Sequence, residues 1–330
     1  MLNLSSCRCS EATSVSPIDD AWHPIVSENY GELWYFDAEF TNGYCLTSSI
    51  MIFGNISSDA VVQVRFLISP PNNDSLLIAQ SYSIEDFQAS QNECNITVGN
   101  NKISGVWPNY SLYLTNGTFI VDLAYVAKVE GWKLSFFKGY SWVIPVPRAT
   151  VKGRIILEGE TMDVEGEGYH DHILKDGSNE AIHCWFWGRT FDGEFTIVWA
   201  QVMAKGKIPL IGVVMLANGE KVVGSSMNLH IVPRGFIYDN STEAYLPRSY
   251  GLTGRIPKPP FRSIQIQLRI VLDERGIMIA MKDNYFQSNC TLYRLHVQVN
   301  GTLWMGSLPT KIQSVGIMEY MQLHSISISE

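Results

Sequence analysis

The chain has 330 residues, of which 46% are hydrophobic, 12% aromatic and 17% charged, and its net charge is −8. With no cluster of Lys and Arg, a nucleic-acid surface is excluded. No apolar run reaches the roughly 18–20 residues of a helical membrane span. Ample apolar material, many β-branched residues and no long helical period predict an all-β protein with a sizeable core.

The order of elements follows from turn signals. Residues 1–20 are polar and Ser-rich, without the basic start and apolar middle of a signal peptide. They read as a disordered arm on a cytoplasmic protein, one that touches membranes only to reach an apolar substrate. Order is expected from Trp22. The first strand is Glu32–Phe40, on which Glu32, Trp34, Phe36 and Ala38 share one face and Leu33, Tyr35, Asp37 and Glu39 the other. Both faces mix apolar and acidic groups, which predicts that one of them lines a cavity.

Asn42-Gly43 turns the chain into a second strand, Tyr44–Phe53. Further strands are expected at 61–68, 76–83, 94–98, 102–106, 111–115 and 118–128, with a short helix at 84–91. Pro145 and Pro147 make 142–148 a connection rather than a central strand. A hairpin at 149–164 follows. After the central stretch come strands at 194–205, 210–217, 221–231, 263–273, 276–283 and 292–299, with 247–262 as a long loop. Many short strands with turn signals mean sandwiches or barrels. The predicted architecture is two β domains of similar size, 21–165 and 166–330.

The six cysteines, Cys7, Cys9, Cys45, Cys94, Cys184 and Cys290, are scattered apart from the first two. They read as reduced thiols packed as small hydrophobes. Without a secretion signal, the sequons at Asn55, Asn116 and Asn300 read as chance matches.

Chemically capable side chains concentrate in Gly166–Arg189, which carries Tyr169-His170-Asp171-His172 and then His183-Cys184-Trp185-Phe186-Trp187-Gly188-Arg189. Three of the seven histidines lie here. His170 and His172 share a strand face, with Asp171 and Tyr169 on the other, so a direct Asp171–His172 pair requires a bulge. Three readings of the stretch stand side by side: a ligand pocket, a buried structural network, and a metal site built on His170, His172 and His183. Trp185 and Trp187 share a face with His183 and suit core or pocket equally. Glu32 and Asp37 read as structural acids, with Arg189 as a salt-bridge partner.

Three segments resemble the carotenoid 1,2-hydratase (hydroxyneurosporene synthase) and AttH-like family. They are Glu32-Leu33-Trp34-Tyr35-Phe36-Asp37, then Val151-x-Gly153 with Val164-x-Gly166-x-Gly168-Tyr169-His170-Asp171-His172, then Trp185-x-Trp187-Gly188-Arg189. The resemblance implies a ligand held between or within two lipocalin-like domains, no cofactor and no metal. Its members include hydratases of carotenoid and isoflavonoid prenyl groups and fungal Diels–Alder cyclases. Two departures weaken the hydration reading: Leu174 stands where the family has Trp, and Gln201 where it has a carboxylate.

The expected function is a cofactor-independent enzyme acting on an apolar polyene or isoprenoid, by acid-assisted cyclisation, isomerisation or hydration in a pocket between the two domains. A Diels–Alderase-type pericyclase on a polyketide or polyene, and a non-catalytic carrier, are the alternatives. His172 and Asp171 are the candidate catalytic residues, because alkene protonation needs a strong, well-placed acid. Trp34, Tyr35, Tyr169, His170, His183, Trp185, Trp187, Trp199 and Gln201 are the candidate substrate contacts, the aromatic faces being suited to a carbocation.

Overall fold

The structure, a computed structural model, describes residues 14–324 apart from 73, 138, 259–261, 286–287 and 308. The chain is all-β. It forms two compact units, Thr13–Ser178 and Asn179–Glu330. Neither described helix is long and apolar enough to cross a membrane.

The first unit contains strands β1 (Tyr30–Phe40), β2 (Cys45–Phe53), β3 (Val61–Ser69), β4 (Leu76–Ser83), β5 (Phe87–Ala89), β6 (Cys94–Val98), β7 (Asn101–Val106), β8 (Asn109–Thr115), β9 (Ile120–Ala127), β10 (Trp132–Phe137), β11 (Tyr140–Leu157) and β12 (Glu160–Asp176). They make one antiparallel sheet in the order β4-β3-β2-β1-β12-β11-β9-β8-β7-β6-β5, with β10 on β11. The sheet curls so that Trp34 of β1 meets Phe87 of β5, with ring centroids 6.4 Å apart.

The unit's core takes alternate residues of β1, Tyr30, Trp34, Phe36, Ala38 and Phe40, as the period of two requires. Leu33, Tyr35 and Asp37 point to the other face and are buried as well. Across β12, Gly168 stands opposite Ala38. A Cβ there would lie 2.7 Å from the Tyr125 ring, so only glycine lets that ring close on the strand.

Five expectations are corrected. Residues 17–20 are no arm but a 3-10 turn, Pro17–Asp20, whose Asp20 is buried; residues 1–13 lie outside the described residues. The helix expected at 84–91 is a 3-10 turn, Ile84–Asp86, followed by β5. The 142–148 connection is part of β11. Its pairing with β12 shifts register between Val143 and Val146 and again between Val146 and Ala149, and Pro145 and Pro147 sit in those irregularities. Bulges tolerate the missing N–H that a regular ladder cannot. The 247–262 loop is largely strand, β18 (Ala244–Lys258). The domain boundary read at 165 falls inside β12, which continues to Asp176 along β1.

The second unit contains β13 (Ile182–Asp192), β14 (Phe195–Ala204), β15 (Ile208–Asn218), β16 (Lys221–Ser226), β17 (Leu229–Asp239), β18 (Ala244–Lys258), β19 (Arg262–Tyr285), β20 (Ser288–Met305) and β21 (Pro309–Leu323). Their order is β16-β15-β14-β13-β21-β20-β19-β18-β17. The sheet curls back on itself into a nearly closed barrel. At the seam, the Ile231 N–H of β17 donates to Gln201 Oε1 of β14 at 2.7 Å. Cys45, Cys94, Cys184 and Cys290 are buried free thiols.

Candidate functional site

β12 runs beside β1 without a bulge, pairing Trp34 with His172, Tyr35 with Asp171 and Phe36 with His170. Strand alternation therefore sends His170 and His172 into the core of the first unit and Asp171 to the opposite face. The direct Asp171–His172 pair is thereby corrected: the regular ladder leaves no bulge to turn one residue toward the other.

On the core side, His170 lies flat on Phe36, with centroids 3.8 Å apart. Its Nε2 faces the Asp20 carboxylate at 3.0 Å and its Nδ1 faces the Tyr35 carbonyl at 2.9 Å. His172 stacks on Trp34 at 4.6 Å. Its Nε2 faces Glu32 Oε1 at 2.8 Å and its Nδ1 the Asp19 carbonyl at 3.2 Å. All four ring nitrogens thus face oxygen acceptors. Two clusters here, Asp20 with Cys94 and His170, and His23 with Glu32 and His172, bring ligand-type atoms within 4.8 Å of one another.

The residues 19–23 close this network. Glu32 also accepts from the His23 backbone N–H and His23 Nδ1, both at 3.0 Å, and from the Tyr30 hydroxyl at 2.5 Å. Trp34 Nε1 donates to the Asp20 carbonyl at 3.1 Å. Burial alone would raise the Glu32 carboxyl, but donation from His172, His23 and Tyr30 holds it below its ordinary value. Burial alone would lower His23, and the Glu32 carboxylate reverses this and raises it. Trp34, expected at a substrate, is instead a wall of this network. Asp20 and His23 were not legible as site residues. The local signal was Ser16-Pro17-x-Asp19, in which Asp19 caps the turn through the Ser16 N–H at 2.7 Å and so presents Asp20 inward.

Asp171 has a different setting. It is 2% exposed, on the face turned away from the core. Trp142 Nε1 and the Tyr169 hydroxyl both donate to Oδ2, each at 2.8 Å. Among the described residues, no group donates to Oδ1. Burial pushes the carboxyl up to about 6, against the pull of the Trp142 and Tyr169 hydrogen bonds, and the Asp37 charge adds to the rise. Asp37 stands opposite Tyr169 in the ladder. The rings of Tyr35 and Tyr169 are 6.3 Å apart. Asp171, Tyr169, Tyr35 and Trp142 thus form one constellation, an acid with a wall of aromatic faces.

The other candidates belong to the second unit. Trp185 donates from Nε1 to Glu319 at 2.8 Å. Trp185 and Trp187 lie on the face of β13 opposite Phe186, which joins the barrel core. His183 is half-exposed at the start of β13, and its imidazole is lowered by burial and by Lys207. Trp199 is buried in the barrel core. Gln201 forms the seam bond already described. Gln201→Leu leaves the Ile231 N–H without its acceptor and is expected to cost about 1–3 kcal/mol, read as a lower urea midpoint at unchanged slope.

No family model matches the chain. A segment of 74 residues, 20% of the chain, is 32% identical to a hydroxyneurosporene dehydrogenase of Chlorobaculum tepidum and covers 19% of that protein. Solved structures match over nearly the whole length. A putative AttH from Nitrosomonas europaea superposes with a TM-score of 0.66 over 96% of this chain and 98% of its own, at 14% identity. The chain has the AttH-like fold. CghA matches with a TM-score of 0.67 over 96% and 97% at 11% identity, and kievitone hydratase from Nectria haematococca with 0.62 over 95% and 96% at 14%. The AttH-like fold therefore holds across sequences that share few residues, and two lipocalin-like domains are its architecture here.

Proposed function

We propose that this AttH-like protein is a cofactor-independent enzyme that uses Asp171 as a general acid on an apolar, unsaturated small molecule. The observation that carries the proposal is the carboxyl itself. Both of its hydrogen bonds fall on Oδ2, so the proton of the neutral acid resides on Oδ1. A carboxyl raised to about 6 keeps a useful protonated fraction near neutral pH, where an ordinary aspartate has almost none.

The step balances simply. The Oδ1 proton adds to one alkene carbon, and the positive charge on the other carbon faces the aromatic rings of Tyr35, Tyr169 and Trp142. Attack by water that then gives up a proton, or loss of a neighbouring proton, quenches it in hydration or isomerisation; in cyclisation a second double bond attacks and moves the charge to a new carbon, which then loses a proton. In each case a proton returns to Asp171. His172 serves this reading only through the network that holds β1 against β12.

A second reading uses the same proton without transferring it. Oδ1–H donates a hydrogen bond to a carbonyl and favours a pericyclic closure. The structure of CghA with Sch210972 supports a small-molecule ligand for this fold. The two readings separate in deuterium oxide, once the molecule that co-purifies with the protein has been extracted and identified. Acid catalysis places carbon-bound deuterium in the product, whereas a pericyclase places none. A protein that carries no organic molecule and turns over no polyene or prenyl compound sinks both.

A further inference from the structure

The barrel of the second unit has a core of its own, and three tyrosines reach into it. Tyr293 meets the Thr242 hydroxyl at 2.5 Å, and Tyr320 donates to Gln322 at 3.3 Å. Tyr250 differs. Its side chain is fully buried, its ring stands edge-on to Phe186 at 5.7 Å, and its hydroxyl has no hydrogen-bond partner among the described residues. Burial among Tyr320, Cys184 and Tyr293 raises it far above the ordinary phenol range, so it stays a neutral donor.

A second donor in the same core is equally bare. Trp199 is fully buried, and its Nε1 has no acceptor among the described residues. Its ring is fixed: it lies over Gly188, its partner in the ladder, where an added Cβ would sit 2.5 Å from the indole. Buried donors are nearly always satisfied, and two unsatisfied donors in one core demand a reason. The rest of this core is Val, Leu, Ile, Phe and Met with Ala244, Cys184 and the other two tyrosines, and by strand alternation the buried Arg189, Arg294 and His296 lie on the opposite faces of β13 and β20.

We propose that the interior of the C-terminal barrel is a binding site for a neutral, apolar molecule bearing a hydrogen-bond-accepting oxygen, a ketone or an alcohol, with Tyr250 and Trp199 as its donors. A carboxylate does not fit, because a buried anion without a cation is too costly. Eight-stranded barrels of this general size hold one small ligand or fill with side chains. The open donors place this nine-stranded barrel with the former. The site is in the other unit from Asp171 and does not depend on the proposed acid.

Protein labelled with 15N at tryptophan tests this, with methyl β-naphthyl ketone as the probe. Trp199→Phe identifies the Trp199 indole signal by its loss. The ketone is expected to bind saturably and to move that signal downfield, and Tyr250→Phe to weaken binding about tenfold, the worth of one hydrogen bond. Naphthalene is expected to bind more weakly than the ketone, and β-naphthoate not at all. No saturable binding overturns the proposal, as does binding that leaves the Trp199 signal and the Tyr250→Phe affinity unchanged. The unliganded protein gives a second check. If the Tyr250 hydroxyl is open, Tyr250→Phe leaves the melting temperature unchanged or raised. A fall of several degrees means that the hydroxyl already has a partner, and the proposal fails.

Discussion

Glu32→Gln is expected to destabilise the first unit by about 3–5 kcal/mol, the cost of breaking a buried ion pair from one side. Glu32 is fully buried and receives His172 Nε2, His23 Nδ1, the His23 N–H and the Tyr30 hydroxyl. A glutamine keeps one oxygen and turns an NH2 group toward these donors. It also removes the negative charge that holds the His23 imidazole raised. Residues 19–23 are held through the same carboxylate, so the loss spreads from one side chain to the whole Pro17–His23 segment. Urea unfolding followed by the near-ultraviolet signal of Trp22 and Trp34 measures it.

The pH dependence has two limbs of opposite sign. The Glu32 carboxyl is lowered on folding, so its contribution is present above its unfolded value of 4.5 and is lost as pH falls through the folded one. The His23 imidazole is raised, so its contribution is present below 6.5 and is lost as pH rises through the folded value. The wild-type network is therefore tightest between about 4.5 and 6.5, and Glu32→Gln is expected to flatten both limbs. A variant with wild-type stability and an unchanged pH profile would falsify the network.

Much of the framework is legible from period and turns. The alternation of Trp34, Phe36 and Ala38 against Leu33, Tyr35 and Asp37 identifies both faces of β1, and both are buried. The same rule, applied at 169–172, sets the histidines against Asp171. What failed shares one cause. Pro145 and Pro147 break a regular ladder, yet two bulges absorb them, and bulges depend on the partner strand. Asp20 and His23 lie about 150 residues from the rings they meet, and no local pattern encodes such a pairing. Gly188 looked like part of a Trp-x-Trp-Gly-Arg motif. Its physical role, room for the Trp199 ring, appears only when β13 and β14 are in register.

Asp171→Asn is expected to reduce turnover of the co-purifying substrate by 10²–10⁴-fold, the usual worth of a positioned general acid. The same change should not harm the fold at neutral pH. Because the Asp171 carboxyl is raised on folding, its stabilising contribution is present below the ordinary value of 3.8 and is lost as pH rises through about 6. Above that point the native state holds a buried anion, at a cost of roughly 3 kcal/mol for a shift of about two units. Asparagine removes the anion and still accepts from Trp142 and Tyr169. A variant that is as stable as the wild type at pH 7.5, or more so, and catalytically dead is the signature of an acid kept for chemistry. The pH profile adds a sign that a structural role does not produce. Activity requiring the protonated acid falls as pH rises above about 6. Trp142→Phe removes a hydrogen bond that favours the anion, so it is expected to move that limb to higher pH while Asp171 remains in place. Full activity in Asp171→Asn, or a limb that stays put in Trp142→Phe, removes Asp171 from the mechanism and leaves the aromatic face as a binding surface alone.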